Sequence, residues 1–518
     1  MHWADEVAQQ LIARHPDAEV YTCASGISPS GPVHIGNFRE AITTYFVVKG
    51  LRDLGKKVRF IYSWDSYDRF RKVSALLPAD YTKYLGMPYS EMPDPFGKEK
   101  SFETAFEKPM MNAMAEMGID AEFLYQSERY KSGRYVAGII QALKHRKEIY
   151  DIEMSFKTQE AKAGERESFY PLQIYCQHCG HDSTKILSMS EDCTKIEYEC
   201  KCGHKGTLDL NKDFCVKLPW KVDWPMRWGV ENVLFEPGGR DHSSEGGSYQ
   251  VSSVIARKIY NREPPMYRMY DFINLKGQTK KISSSSGTDM TPSTLLKIYQ
   301  PEIILWMFTR FLPEKSFDIS LDADVLKTYH EFDRMYEKYK AGEGDEIVNR
   351  IMELALSNTD ESKFYPVDAS LIASFAPIVN FDLDLLTDLF HKIGQDWTKE
   401  QIRPRFEKIK HWMENYCPEL IIKLLPKKNE EFIKTINAEE KGWVTHLVKE
   451  IETKDLSLEE MQTLLYDIPK INNEPDKAKQ KRFFEVVYNL LLGKNQGPRL
   501  YLFLTAVNKK DIIKLLKI

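Results

Sequence analysis

The stretch SGISPSGPVHIGN, residues 25–37, lies between an apolar run and a helical pattern. Residues 19–25 have the composition of a short buried strand. Apolar residues then recur every three or four positions from Phe38 to Phe46, the period of an amphipathic helix. Residues 57–63 resemble a second strand. A strand, a glycine- and proline-rich turn, a helix and a strand form a βαβ unit, which predicts a parallel sheet.

The bulk composition is that of a large globular protein. The chain has 518 residues and a net charge of −4, which predicts roughly two to four domains. No apolar run approaches the roughly 20 residues of a membrane helix. The N-terminus has no apolar signal core. We therefore expect a cytoplasmic protein with no membrane partner, and the slight acidity argues against a protein that coats nucleic acid non-specifically.

Cysteines concentrate in one segment, which suggests metal binding rather than disulfides in a long chain of this kind. Two pairs of cysteines lie close together in the sequence, Cys176 with Cys179 and Cys200 with Cys202, and a glycine directly follows each pair. Four thiolates at this spacing predict a closed, structural Zn²⁺ site of the knuckle type. Free thiols are the alternative. The residues that could replace one ligand are His181, Cys193 and His204.

The strand and helix patterns return after the cysteines, at residues 232–275, and from about residue 301 helical patterns dominate. A helix is also predicted at residues 132–147. We predict an α/β fold with a doubly wound Rossmann-type parallel sheet, a zinc-knuckle insertion and an all-α C-terminal region. The predicted limits are 1–165 and 216–300 for the two halves of the sheet domain, 166–215 for the insertion, 301–345 for a helical connector and 346–518 for the helical region.

The turn at residues 25–37 has the features of a phosphate site. Gly26 and Gly31 allow close approach of the backbone to a ligand. His34 and Asn37 fall on one face of the first helical turn, where free N–H groups attract anions. The glycines fit neither the dinucleotide fingerprint nor the P-loop. The alternative is a plain strand-to-helix turn capped by Ser30, with an incidental histidine.

A second candidate follows the last predicted strand of the sheet. Residues 277–287 read GQTKKISSSSG. Lys280 and Lys281 would neutralise charge that develops on a pyrophosphate, and the serines would donate hydrogen bonds. A solvated serine- and glycine-rich linker is the commoner origin of such a string. The position at a strand end of the same sheet favours a phosphate site.

Both segments resemble the signatures of class I aminoacyl-tRNA synthetases. Residues 34–37 (HIGN) are similar to HIGH, and residues 281–285 (KISSS) are similar to KMSKS, with Ser284 in place of the second lysine. Residues 239–242 (GRDH) resemble the ribose-contacting stretch between them. The opening HWAD, the segment WKVDWPMRW and the segment GRDHSSEGGSY resemble the class I lysyl-tRNA synthetases in particular.

The resemblance implies an enzyme that activates lysine with ATP and Mg²⁺, then transfers it to the 2′-hydroxyl of tRNA(Lys). A monomer is expected. The implied catalytic residues are His34, Asn37 and Lys281. The implied ATP-binding residues are Pro29, Gly31, His34, Gly36, Asn37, Gly239, Asp241, Lys281, Ser283 and Ser285. The implied lysine-binding residues are Gly26, Ser28, Trp220, His242 and Tyr270.

A lysine pocket requires an acidic partner and flat apolar walls. Residues 220–228 contain three tryptophans, and they form either such a wall or a buried connector. Asp223, Asp271 and Glu245 are equally good candidates for the partner of the ammonium. In the helical region, basic stretches at residues 405–410 and 477–482 would contact tRNA phosphates, or else form solvated helix faces.

Three other functions remain open at this stage. One is a class I synthetase for glutamate or arginine. Another is a nucleotidyltransferase that adenylates a small molecule without tRNA. The third is a non-catalytic, zinc-containing RNA-binding or regulatory protein. The large helical region argues against the second, and the two phosphate-site patterns argue against the third.

Overall fold

The structure is a computed structural model that describes residues 1–158, 162–276, 290–470 and 474–518. These residues form two compact units. The first comprises Met1–Leu296, Pro301–Ile319 and Lys338–Asn358, and the second comprises Lys297–Gln300, Ser320–Glu337 and Thr359–Ile518. The candidate site lies within the first unit.

The strands all belong to the first unit. In chain order they are β1 Tyr21–Ile27, β2 Val58–Trp64, β3 Glu122–Tyr125, β4 Gln173–Ile174, β5 Thr184–Met189, β6 Lys195–Cys200, β7 Lys205–Asp209, β8 Val216–Lys217, β9 Val233–Gly239, β10 Met266–Tyr270, β11 Ile273–Leu275 and β12 Phe317–Ile319.

The helices up to residue 358 are α1 Trp3–Arg14, α2 Ile35–Asp53, α3 Phe102–Glu116, α4 Gln126–Lys131, α5 Val136–Lys144, α6 Arg146–Ser155, α7 Glu165–Ser168, α8 Trp220–Val230, α9 Ser248–Lys258, α10 Pro292–Leu296, α11 Pro301–Thr309, α12 Asp324–Lys340 and α13 Glu346–Ala355. Those that follow are α14 Ala369–Phe375, α15 Leu383–Lys392, α16 Lys399–Tyr416, α17 Glu430–Ile433, α18 Ala438–Thr453, α19 Leu458–Asp467, α20 Lys477–Leu492, α21 Leu500–Ala506 and α22 Lys509–Leu516.

The central sheet has the order β10-β9-β1-β2-β3, and its neighbouring strands are parallel. The chain winds one way from β1 to β3 and the other way from β1 to β10. The winding direction therefore reverses between β1 and β9, where the carboxyl ends of the strands open a crevice for a ligand. The predicted doubly wound fold and all-α C-terminal region are confirmed.

Helix α2 secures the first βαβ unit. The predicted apolar stripe from Phe38 to Phe46 is buried, and both of these side chains are fully enclosed. Burial of each such aromatic side chain stabilises the fold by about 1.5–3 kcal/mol. The turn before α2 is thereby fixed at the carboxyl end of β1, which positions the candidate phosphate site.

Two predicted elements are divided in the structure. The helix predicted at 132–147 is α5 followed by α6, because His145 between them leaves the helical conformation (φ −102°, ψ 19°). The strand predicted across 266–275 ends at Tyr270. There the Asp271 amide donates to Pro313 O, while Arg39 donates to Asp271 O at 2.7 Å. The chain then pairs with β12 as β11 in a separate sheet.

The second unit is helical, and side-chain caps define many of its helix starts, such as Thr398 for α16 and Asn437 for α18. The predicted basic stretches are partly committed to internal ion pairs. Arg405 is fully buried and pairs with Asp333, so it is not available to a phosphate. Within the described ranges, none of the helices combines the length and apolarity required to traverse a bilayer.

Candidate functional site

A cavity of about 810 Å³ opens at the carboxyl edge of the central sheet, at the point where the strand order reverses. Residues predicted for two different substrates line it together. They are Gly26, Ser28, His34, Asn37, Trp220, His242 and Tyr270. The turns that carry these residues also contain the other predicted ATP contacts, Pro29, Gly31, Gly36, Gly239 and Asp241. One crevice therefore gathers residues from β1, α2, α8, β9 and β10.

The histidine of the HIGN segment caps helix α2. His34 Nδ1 accepts hydrogen bonds from the amides of Gly36, at 3.1 Å, and Asn37, at 3.3 Å. A ring nitrogen that accepts two amide protons is unprotonated, so the neutral imidazole carries its proton on Nε2. The capped helix start thus fixes both the orientation and the tautomer of a side chain that lines the cavity.

The second signature lies outside the described residues. These exclude Lys280, Lys281, Ser283, Ser284 and Ser285. The next described residue, Met290, is buried, and its carbonyl accepts a hydrogen bond of 2.8 Å from the Ile35 amide. The described chain that follows the second signature is therefore hydrogen-bonded directly to the HIGN segment.

Glu40 is a cavity residue that we did not predict. Its Oε1 accepts from the Gly26 amide at 3.0 Å, and its Oε2 accepts from the Tyr270 hydroxyl at 2.7 Å. Desolvation, reinforced by the nearby Glu236 and Asp65, raises the pKa of Glu40 to about 8. Both direct donors are neutral, so the carboxylate retains an uncompensated negative charge when it ionises.

Glu236 is the second acid of this chamber. It is buried, lines the cavity and accepts a hydrogen bond of 2.7 Å from Trp228 Nε1. Burial raises its pKa to about 7. Trp220 and Trp224 stack nearby with ring centroids 4.8 Å apart, and His242 lies 5.8 Å from Trp224. The chamber therefore combines acidic groups with flat aromatic walls.

An ion network supports the floor of the cavity. Asp68 accepts from Ser28 Oγ at 2.7 Å and pairs with the buried Lys217 at 2.8 Å. Arg227 pairs with Asp65 at 2.6 Å. Asp68 and Asp65 each form an ion pair, whereas among the described residues neither Glu40 nor Glu236 does. The two paired aspartates hold Ser28 and the surrounding backbone in place.

The three proposed ammonium partners do not line the cavity in the described structure. Asp223 is fully buried and contacts Lys217 and Arg227. Asp271 pairs with Arg240, and Glu245 is exposed. A sequence signal for Glu40 existed, because it is an acid within the apolar helix pattern, three positions after Asn37. Its hydroxyl donor, Tyr270, is 230 positions away, and no local pattern predicts that contact.

The four cysteines of the insertion converge. Their sulfur atoms all lie within 4.8 Å of one another, with Cys176 and Cys202 at 3.8 Å and Cys179 and Cys200 at 3.7 Å. Tetrahedral zinc with Zn–S bonds of about 2.3 Å requires S···S distances of about 3.8 Å. The geometry therefore fits the predicted ion.

The alternative ligands are engaged elsewhere. His181 contacts Cys179 O through Nδ1 and Lys83 O through Nε2, and the Cys193 thiol donates to Glu191 O. The His204 carbonyl accepts from the Cys200 amide, and its ring stacks on His178 with centroids 5.9 Å apart, outside the four-sulfur cluster. The four-cysteine set is the metal-binding group that the described residues support.

We expect purified protein to contain about one zinc per chain, and removal by a chelator to lower the melting temperature, because metal binding free energy contributes to folding. Cys200→Ser should lose the metal. Cys215→Ser, in a half-buried cysteine outside the cluster, is the matched control and should retain it. Elemental analysis combined with thermal melts checks this. Zinc-free wild-type protein prepared in reductant would contradict the assignment.

Comparison with known proteins identifies the family. The family model for tRNA synthetases class I (K) matches residues 1–358. The chain belongs to this family. The lysine–tRNA ligase of Treponema pallidum is 34% identical to this class I synthetase over 530 residues, covering 100% of this chain and 98% of that protein. The enzyme of Thermococcus kodakarensis is 35% identical, with 100% and 99% covered.

The match to the synthetase family confirms the resemblance inferred from the two signatures, and it makes the protein an enzyme of the ligase class. Among solved structures, the glutamate–tRNA synthetase from Elizabethkingia anophelis aligns with 96% of the present chain. The alignment covers 99% of the Elizabethkingia chain, with 12% sequence identity and a TM-score of 0.49.

Proposed function

We propose that this synthetase activates lysine with ATP to lysyl-adenylate and transfers the lysine to the 3′ end of tRNA(Lys). The single observation that carries the proposal is the shared cavity, in which His34 and Asn37 lie beside an acidic, aromatic-walled chamber. The full-length similarity to lysine–tRNA ligases supports the same substrates. The helical region from residue 346 onward is proposed to bind the anticodon, as a separate function of that region.

Lysine recognition is assigned to Glu40 and the aromatic walls. A lysine side chain has a cationic end on an apolar stem. Glu40 would accept the ammonium, because its carboxylate lacks a cationic partner among the described residues. Trp220 and His242 would enclose the stem, and the Gly26 and Ser28 turn would contact the backbone end. Gly26 must be glycine here, since a Cβ would lie 2.6 Å from Ser63 O.

ATP binding is assigned to the capped start of α2. The Nε2–H group of His34 and the side-chain amide of Asn37 would donate to phosphate oxygens, aided by the positive end of the helix dipole. Gly239 and Asp241 would contact the ribose, and Lys281, Ser283 and Ser285 would contact the leaving phosphates. We expect Mg²⁺ to accompany the triphosphate.

The chemistry then requires no enzyme nucleophile. The carboxylate of lysine attacks the α-phosphorus of ATP, and the bond to pyrophosphate breaks. The tRNA hydroxyl next attacks the carbonyl carbon of the mixed anhydride and AMP leaves. Positioning and stabilisation of phosphoryl charge account for catalysis in such transfers. The side chains that line this cavity are suited to both roles.

The experiment that tests the proposal is a panel of amino acids in the charging reaction with a tRNA(Lys) transcript. We expect charging with lysine at least about 100-fold more efficient than with arginine or glutamate. Glutamate has no ammonium for Glu40 to accept, and its own carboxylate would be an unpaired negative charge in a desolvated site, which costs several kcal/mol. Preferential charging with another amino acid, or adenylate formation that never leads to charging, would contradict it.

The pH dependence of lysine binding follows from the raised pKa of Glu40. A carboxyl group with a pKa of about 8 is mostly protonated at pH 7, and only its ionised form attracts the ammonium. The KM for lysine should therefore fall roughly tenfold as the pH rises from 7 to 8.5. Steady-state kinetics check this, with KM for ATP as the control. A lysine KM independent of pH would contradict the role.

A further inference from the structure

A cationic pair lies at the mouth of the cavity, on the crossover between β2 and β3. Arg71 and Lys72 line the cavity, and both side chains are largely exposed. Within the ranges 1–158, 162–276, 290–470 and 474–518, neither side chain forms an ion pair. Arg71 interacts electrostatically with Asp68 and Asp182, and its exposed guanidinium, together with the adjacent Lys72 ammonium, is accessible to an anion that enters the cavity.

The crossover that carries this pair is firmly anchored. Arg69 pairs with Asp182 at 2.9 Å, and the Asp182 amide donates to Gly86 O at 2.9 Å. His181 contacts Lys83 O at 2.9 Å. Asp182 and His181 belong to the cysteine knuckle, so the knuckle contacts the crossover between β2 and β3 and stabilises it. These contacts hold the chain on either side of the pair, at Arg69 and at residues 83–86.

The sheet order separates the pair from the nucleotide motifs. The HIGN segment follows β1, the GRDH segment lies at the end of β9, and the second signature comes after β10 and β11. Arg71 and Lys72 follow β2, which lies on the other side of β1 from β9 and β10. ATP held by the motifs would occupy the β1–β9 side of the cavity. The β2 side is left for the other anionic substrate, which enters from solvent.

We propose that Arg71 and Lys72 bind backbone phosphates of the unpaired 3′ end of the tRNA as it enters the cavity. This proposal rests on the proposed function, because it takes tRNA as the second substrate. Cations at the entrance attract the negatively charged RNA strand and direct the terminal ribose toward the adenylate.

The test is a binding cycle with two proteins and two RNAs. Binding of a tRNA(Lys) transcript, complete or lacking its last four nucleotides, is measured for the wild type and for Arg71→Ala/Lys72→Ala. The matched control is Lys98→Ala/Lys100→Ala, which removes the same charge from exposed positions of the same crossover. No amino acid is present, so the result does not depend on which amino acid the enzyme charges.

The double variant should bind complete tRNA roughly tenfold more weakly. The slope of log K for tRNA binding against log salt concentration should be smaller in magnitude by about 1.4, the value for two single-stranded phosphate contacts. The same variant should bind truncated tRNA as the wild type does, and the swapped variant Arg71→Lys/Lys72→Arg should restore binding. Equal weakening for both RNAs, as a folding defect would give, overturns the proposal. So does unchanged tRNA binding with a raised KM for ATP.

Discussion

Glu40→Gln should raise the KM for lysine on the order of 100-fold or more. Truncation of one partner in a buried, hydrogen-bonded charge pair costs about 2–5 kcal/mol. Glutamine fills nearly the same volume and can still accept from the Gly26 amide, so the fold and the KM for ATP should change little. Lysine-dependent ATP–pyrophosphate exchange, with tRNA present, provides the measurement.

The matched control for this prediction is Glu236→Gln. Glu236 shares the chamber with Glu40, but its Oε2 already accepts from Trp228. A smaller effect is expected there, of about tenfold or less. A lysine KM in Glu40→Gln within threefold of the wild-type value, or a larger loss in Glu236→Gln, would remove Glu40 from the role of ammonium partner.

His34→Ala should slow ATP–pyrophosphate exchange by about 100–1000-fold, the usual cost of losing one donor to a developing oxyanion. Lysine binding should change far less, because His34 is assigned to the phosphates. The same substitution removes the cap of α2 and should lower stability by about 0.5–2 kcal/mol. Single-turnover kinetics and thermal melts measure the two effects separately.

His34→Asn separates capping from catalysis. Asparagine is a good N-cap and can accept from the Gly36 and Asn37 amides, so the melting temperature should return toward that of the wild type. Asparagine lacks the imidazole Nε2–H group that is assigned to the ATP phosphates, so ATP–pyrophosphate exchange should remain slow. Exchange at the wild-type rate in either variant would refute the assignment of His34 to the phosphates.

Much of the fold was predictable because its signals are local. The βαβ unit, the turn at residues 25–37 and the paired cysteines are each defined by neighbouring residues in the chain. The division of residues 266–275 into β10 and β11 was not predictable. It depends on Arg39, whose guanidinium donates to carbonyls more than 230 positions away.

The chamber shows the same limit. The tryptophans at 220, 224 and 228 repeat every four positions along α8. Trp220, Trp224 and Arg227 line the cavity, whereas Asp223 on the same helix is fully buried. Sequence alone does not show which face meets the cavity, so Asp223 was a reasonable candidate and Glu40 was missed. Tertiary contacts between β1, α2 and β10 create the acidic site.

The most direct measurement is a crystal structure of the full-length synthetase with a non-hydrolysable lysyl-adenylate analogue. The expected result places the lysine Nζ within hydrogen-bond distance of a Glu40 carboxylate oxygen, with the phosphate-equivalent group next to His34 Nε2 in the same cavity. A bound analogue whose ammonium contacts another acid, or whose two ends occupy different clefts, would contradict the assignment of both substrates to this crevice.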